Sequence, residues 1–372
     1  MRQTIRLARF LTLLAATVWA ALAQESAGAF AELSAQASRA RDANEAASAI
    51  RLYKEALQLN PNWQEGWWMA GSLQYDSEQY AESAASLRRL TALRQGMGPA
   101  WGLLGLCEYE TGSYRSAFED IQRSLALGIG DQPQMTGVLK FHEALLLTKK
   151  GEFDTALQKY SAFLPPTVKD PQVLLGLGLT ALRRRQVPKE VSADHADLVS
   201  SAGRALAAFL MGDYSRAQAL YDQLLARFPN DPDVHYAYGY SVLRADPERA
   251  IQEWERALSI DPSNAAAHAM LSWTFSLRDQ REKALAHARE AVAKDPNITV
   301  SQVVLGRLLV QKGQIDAGIE HLERAVQIDS TNLEAHLALA TAYSEAGRKE
   351  DSRRERQLCM KTQAEAGSLA QR

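Results

Sequence analysis

Of the seven histidines in this chain, five recur at regular intervals, a pattern that could hold metal ions. His235, His268 and His336 are spaced by 33 and 68 residues, and His287 and His321 by 34. Neutral imidazole is the commonest metal ligand and titrates near neutral pH. If these positions are equivalent points in stacked units, their rings form a candidate ladder. A zinc site needs three or four N, S or carboxylate donors, and no Cys or carboxylate cluster accompanies these rings along the chain. The competing reading places each His in a half-buried slot with its second nitrogen in water. On that reading no metal and no cofactor are expected.

Other chemical patterns break off early. His142-Glu143 opens like a zinc-protease helix, but Leu146 stands where the second His belongs. Residues 176–180, GLGLT, have the Leu spacing of a helix interior rather than a phosphate-cradling turn. No GxSxG elbow occurs. Cys107 and Cys359 lie too far apart along the chain to pair in a linear stack and read as buried small hydrophobes. One polar segment, with Lys189, Glu190, Asp194 and His195, leaves an alternative open: an enzyme or enzyme subunit with its site in residues 165–197. No catalytic residue is assigned.

The elements that position these residues are helices. The stretch Trp101–Leu127 predicts two short amphipathic helices around a turn at Gly112. Trp101, Leu104 and Leu106 face inward from the first, and Tyr114, Ala117, Phe118 and Ile121 from the second. Gly105 and Ala117 are the small residues where the helices cross. The pattern returns about every 34 residues. It is clear at Trp101, Leu104, Gly105, Ala117 and Ile121, and again at Tyr238, Gly239, Ala250, Trp254, Ala257 and Pro262. A further copy carries Leu271, Ala284, Ala288, Ala291 and Pro296.

This phased series resembles the tetratricopeptide repeat. The resemblance implies an all-α fold, a right-handed superhelical α-solenoid of stacked helix-turn-helix units. No unit buries its apolar face alone, so neighbours must stack. Truncating an inserted Trp such as Trp101 to Ala is expected to cost about 3–5 kcal/mol. Enlarging Gly105 or Gly239 is expected to cost about 1–3 kcal/mol.

The organisation follows the repeats. Arg2, Arg6 and Arg9 precede an apolar run, Phe10–Ala20, and then Ala21-Leu22-Ala23. Residues 1–23 read as a signal peptide cleaved after Ala23, giving an exported, periplasmic or secreted chain. An uncleaved anchor is the alternative. Residues 24–164 read as an N-terminal repeat array, 165–197 as an irregular helical connection, and 198–362 as a C-terminal array with a polar capping helix. Residues 363–372 read as a frayed tail. Gly128–Gln134 is a longer connection within the first array, and Ala245-Asp246-Pro247 replaces the turn Gly within the second. Asn297-Ile298-Thr299 is a glycosylation sequon that matters only in a eukaryotic source.

The chain's 372 residues are 46% hydrophobic and 23% charged, with net charge −2. That balance argues against nucleic acid as a partner, and no stable membrane span is expected once the signal is removed. In the family that the chain resembles, the first helices line a concave groove that takes extended peptides or helices. The positions carried over are Trp68, Tyr75, Tyr109, Phe141, Phe209, Tyr236, Tyr240, Arg244, Trp273 and Arg307. Aromatics and Arg supply most of the energy of interfaces, although each residue is also open to a plain packing role. The family's carboxylate clamp uses Lys and Asn. Here Lys149 is the only Lys at those positions, so chaperone-tail binding is not expected. The expected function is a non-enzymatic scaffold or adaptor in the extracytoplasmic space. It would bind a peptide or partner protein for envelope assembly, secretion or polysaccharide machinery.

Overall fold

A computed structural model describes residues 24–130, 132–161, 164 and 168–370, the stretch 364–370 as backbone alone. The expected signal segment, residues 1–23, lies outside the described residues, as do Phe163, Pro165 and Pro166. The chain divides into two compact units, Met1–Phe163 and Leu164–Arg372. Among the described residues all regular structure is helical.

The first unit contains α1 (residues 24–42), α2 (Ala46–Leu59), α3 (Gln64–Asp76) and α4 (Tyr80–Leu93). It continues with α5 (Gly98–Glu110), α6 (Tyr114–Leu127), α7 (Pro133–Lys150) and α8 (Phe153–Ser161). In the second unit, α9 (Pro171–Ala181) and a 3₁₀ turn (Pro188–Glu190) lead into α10 (Ala193–Leu210) and α11 (Tyr214–Arg227). After these come α12 (Pro232–Val242), α13 (Pro247–Ile260), α14 (Ala265–Leu277) and α15 (Arg281–Lys294). The last are α16 (Thr299–Gln311), α17 (Ile315–Ile328), α18 (Leu333–Glu345) and α19 (Lys349–Ala370).

Within each unit a helix packs chiefly on its sequence neighbours, the arrangement of an α-solenoid of stacked hairpins. The second helix of a hairpin buries one stripe, as in α13, where Ala250, Ile251, Trp254 and Ala257 go inward. The first helix is covered on more sides, as in α16, where most residues from Ser301 to Val310 are buried.

Small residues set how closely the helices cross. A Cβ built on Gly105 would stand 2.7 Å from Ile121 Cγ1, and one on Gly239 would stand 2.5 Å from Trp254 Nε1. Both contacts are tighter than real side chains tolerate, so both positions need glycine, as their spacing predicts.

The turns inside hairpins are closed by a left-handed residue. Gly112 takes φ +82°, and the equivalent positions in other hairpins are Glu78 and Asp279 at φ 59° and 56°. A side chain there costs about 1–2 kcal/mol. The hairpin α12–α13 instead uses Asp246, whose side chain accepts the Arg249 N–H at 3.0 Å, with Pro247 starting the helix.

The structure departs from the sequence expectations in three places. Trp101 is only half-buried: its Nε1 donates to the Gln95 carbonyl at 2.8 Å and the Arg123 guanidinium lies 4.0 Å over its ring. Among the described residues the fully buried tryptophan is Trp254. Helix α19 continues to Ala370 rather than ending at Thr362, with Ser352, Glu355 and Cys359 on its packed side. Finally, α9 is packed tightly on α10. A Cβ on Gly178 would collide with the Val199 carbonyl, and one on Gly203 with that of Leu174.

Candidate partner-binding face

Within each unit the first helices of adjacent repeats touch one another: α3 with α5, α5 with α7, α10 with α12, α12 with α14, α14 with α16 and α16 with α18. Among the described residues no two second helices approach as closely. The first helices therefore form the more closely packed side of each unit's stack.

Nine of the ten groove candidates fall on these first helices and Arg244 in the turn after α12, and they differ in what they present. Trp68, Tyr75, Phe141, Phe209, Tyr240, Trp273 and Arg307 are half-buried, and Arg244 is exposed. Tyr109 and Tyr236 are buried, each 5% exposed, so neither offers an open surface. Several close their own hairpin. Tyr75 packs edge-on against Tyr80, Tyr109 against Tyr114 and Phe209 against Tyr214, with ring centroids 5.5–5.9 Å apart. In each pair an aromatic in the last turn of the first helix meets the opening residue of the second. Phe141 lies 6.3 Å from Tyr160, and Phe209 also meets Tyr240 at 6.1 Å. The Arg307 guanidinium donates to Glu334 at 2.7 Å. Tyr236 is covered by Arg183, whose Nη1 donates to the Tyr236 hydroxyl at 3.3 Å. Trp68, packed on the Leu87–Leu104 cluster, Tyr240, packed on Phe209, and Trp273 each keep part of the ring exposed on α3, α12 and α14.

The periodic histidines have a structural role. His235 Nε2 donates to the Pro229 carbonyl at 3.0 Å, His268 to that of Pro262 at 3.3 Å and His336 to that of Ser330 at 3.0 Å. Gln302 does the same to Pro296 at 2.7 Å, and Trp67 to Pro61 at 2.8 Å. Each side chain ties the first turn of its helix to the carbonyl six residues earlier, fixing the connection between repeats. The other side of each group meets the second helix of its own repeat. His235 Nδ1 lies 2.6 Å from Glu253, Gln302 Oε1 2.7 Å from His321 and His336 Nδ1 2.7 Å from Glu355. The recurring phase visible in the sequence is therefore a repeating clasp. Among the described residues no group of three His, Cys, Asp or Glu side chains could hold a metal ion.

The central polar segment forms a turn rather than a cleft. Glu190 accepts the backbone N–H of Val187 at 3.0 Å, and Ser192 meets His195 Nδ1 at 2.9 Å on the surface of the first turn of α10. Lys189 and Asp194 are exposed. Both cysteines are buried and free, and burial pushes the Cys107 thiol up to about 11.

One buried pair escaped the sequence reading. Glu108, 3% exposed, takes Arg88 Nη2 on Oε1 at 2.7 Å. Asp120 lies beside it on α6. Burial, then the Glu108 charge and a hydrogen bond with it, push Asp120 up to about 7 against the pull of Arg123 and Arg88. One repeat earlier the equivalent pair is neutral: the Gln74 side-chain amide donates to Ser86 Oγ at 2.7 Å. The two acids sit where the preceding repeat has an amide and a hydroxyl. That internal comparison was the available signal.

Among the described residues no helix is long and apolar enough to cross a membrane. Residues 306–347 match the family model described as TPR repeat, and residues 68–132 and 200–241 match tetratricopeptide repeat models. The chain is 25% identical over 223 residues to cellulose synthase operon protein C of Xanthomonas axonopodis pv. citri (strain 306), covering 53% of this chain. The match spans 15% of that relative's length. Among solved structures, a crystal structure of MamA is similar at 19% identity over 44% of this chain and 96% of that one, with a TM-score of 0.37. MamA residues 41 to the end from Desulfovibrio magneticus RS-1 match at 18% identity over 45% and 96%, with a TM-score of 0.38.

Proposed function

This chain is a tetratricopeptide-repeat protein, and we propose that it acts without catalysis, as an exported scaffold that grips an extended protein segment along its first helices. The observation that carries this reading is the set of aromatic faces left half-exposed there: Trp68, Tyr240 and Trp273. Most large apolar side chains in these hairpins are consumed by packing. A Trp or Tyr left partly open on the first helices of its own unit has area to bury against a partner at low entropy cost. His235, His268 and His336 are engaged in clasps and Glu190 and His195 in a turn, which supports a binding rather than an enzymatic role.

The export reading rests on residues 1–23, with their basic start, apolar run and Ala21-Leu22-Ala23. The setting we favour is envelope assembly, secretion or surface-polysaccharide machinery. Similarity to a protein named cellulose synthase operon protein C supports the last of these.

The test is a pull-down from envelope extract with the full chain and with its Trp68→Ala/Tyr240→Ala/Trp273→Ala variant. All three residues are half-exposed, so the variant should stay folded by circular dichroism. The reading expects it to lose partners that the unaltered chain retains. A folded variant that keeps every partner would refute it.

A further inference from the structure

The segment after α9 packs against the start of α12 and the turn before α16 in its own unit. It leaves α9 through Arg183, in the left-handed region at φ 50°, and does not turn directly into the next helix. Three consecutive arginines then make these contacts. Arg183 lies with its guanidinium carbon 5.6 Å over the Tyr236 ring and donates to its hydroxyl. Arg184 bridges two carboxylates at the start of α12, with Nη2 on Asp231 at 2.9 Å and Nε on Asp233 at 3.0 Å. Arg185 reaches Asp295, in the turn before α16, with Nη2 to Oδ2 at 2.9 Å.

The carboxylates are set to receive cations. Asp231 spends Oδ1 on the N–H groups of Asp233 and Val234 at 3.0 and 3.1 Å, which leaves Oδ2 for Arg184. Asp295 spends Oδ1 on the Asn297 N–H at 2.9 Å, which leaves Oδ2 for Arg185. Each turn thus locks one oxygen and aims the other outward. Burial, together with the charges of Asp231 and Asp261, holds Asp233 above the usual carboxylate range despite Arg184.

The arginines are not what fixes α9. The close backbone approaches at Gly178 and Gly203 already lock it to α10. The Arg185 side chain is 54% exposed, so water screens that pair and a competitor can replace it, whereas Arg184, 21% exposed against carboxylates 18% and 30% exposed, is held more firmly.

We propose that the face formed by Tyr236, Asp231, Asp233 and Asp295 is a docking surface for an arginine-rich extended segment of a partner protein, held in the free chain by Arg183, Arg184 and Arg185. The proposal deepens the scaffold reading and rests on it. It names the partner chemistry: guanidinium groups spaced to reach an aromatic ring and the outward oxygens of two turns two repeats apart. Binding would exchange the chain's own arginines for the partner's.

The test is fluorescence anisotropy with a labelled peptide carrying a central Arg-Arg-Arg run in Gly/Ser flanks, and a control peptide carrying Glu-Glu-Glu. The full chain is compared with Arg183→Gly/Arg184→Ala/Arg185→Ala, where Gly suits the left-handed backbone. The opened variant is expected to bind the arginine peptide at least ten-fold tighter than the unaltered chain and not to bind the glutamate peptide. Adding Asp231→Asn/Asp233→Asn/Asp295→Asn is expected to abolish the gain. If the triple variant does not fold, Arg185→Ala alone frees Asp295 and is expected to tighten binding about three-fold. Equal binding by opened and unaltered chains, or a gain that survives the Asp→Asn changes, overturns the proposal. If the arginine peptide fails while the Trp68/Tyr240/Trp273 variant still loses its partners, the basic chemistry falls and the scaffold stands.

Discussion

His268 and His287 meet Nδ1 to Nδ1 at 2.9 Å, so one ring must donate a proton and the other must accept it. At the same place other repeats pair His235 with Glu253 and His336 with Glu355. The clasp between α14 and α15 therefore fails when both rings are charged, whereas its counterparts oppose an acid to a ring. Burial lowers His268, with a smaller opposing effect from the Pro262 carbonyl and Glu290 and a further lowering by Lys294. Burial also lowers His287, then the charge of His268 and that of Lys283. The unfolded chain binds these protons first. Their contribution to stability is whole above about pH 6.5 and is lost as the pH falls through that value toward the folded ones. His235 runs the other way. Burial lowers it, but the Glu253 hydrogen bond and the Pro229 carbonyl outweigh that and raise it. Its contribution is full below about pH 6.5 and is lost as the pH rises through the folded value. Thermal melts between pH 8 and pH 5 should show His287→Glu losing part of the acid sensitivity of the unaltered chain. An unchanged acid response would refute the assignment.

Asp120 gives a second titration of opposite sense to an ordinary surface carboxylate. Its folded-state value is about 7, against an ordinary 3.8, so the folded chain holds this proton where the unfolded chain has released it. Its stabilising effect is present below about pH 4 and is lost as the pH rises toward 7. Asp120→Asn should therefore melt higher than the unaltered chain at pH 8, and the difference should shrink toward pH 4. A variant that melts lower at pH 8 would contradict the raised value of Asp120.

Core substitutions should rank by the burial observed. Trp254 is fully buried against Gly239, and its Nε1 donates to the Tyr236 carbonyl at 3.2 Å. Trp254→Ala should cost about 3–5 kcal/mol in urea unfolding. Trp101→Ala should cost roughly 2 kcal/mol, since the ring is half in water and its indole hydrogen bond is exposed. Gly239→Leu should cost about 1–3 kcal/mol or more because the indole ring fills the space a side chain needs.

The hairpin series was legible because helix period, crossing glycines and interrupting prolines are local features. The crossings at Gly105 and Gly239 follow from those features alone. The role of the histidines was half legible. Their phase is in the sequence, but their partner is a backbone carbonyl, which no residue pattern names. The six-residue step from Pro61, Pro229, Pro262 and Pro296 to Trp67, His235, His268 and Gln302 would have pointed to it. The groove candidates were read as one class, yet Tyr109 and Tyr236 are buried while Trp273 is half-open. The difference lies in what covers each residue. Arg183 covers Tyr236 from 53 positions away, and Arg185 meets Asp295 across 110. Such pairings depend on how the units stack, not on spacing.

Hydrogen–deuterium exchange of the full chain, with and without a partner retained in the pull-down, tests the central claim most directly. The account predicts slowed exchange in the first helices α3, α12 and α14 that carry Trp68, Tyr240 and Trp273, with α4, α13 and α15 unchanged. Protection confined to the second helices would contradict it.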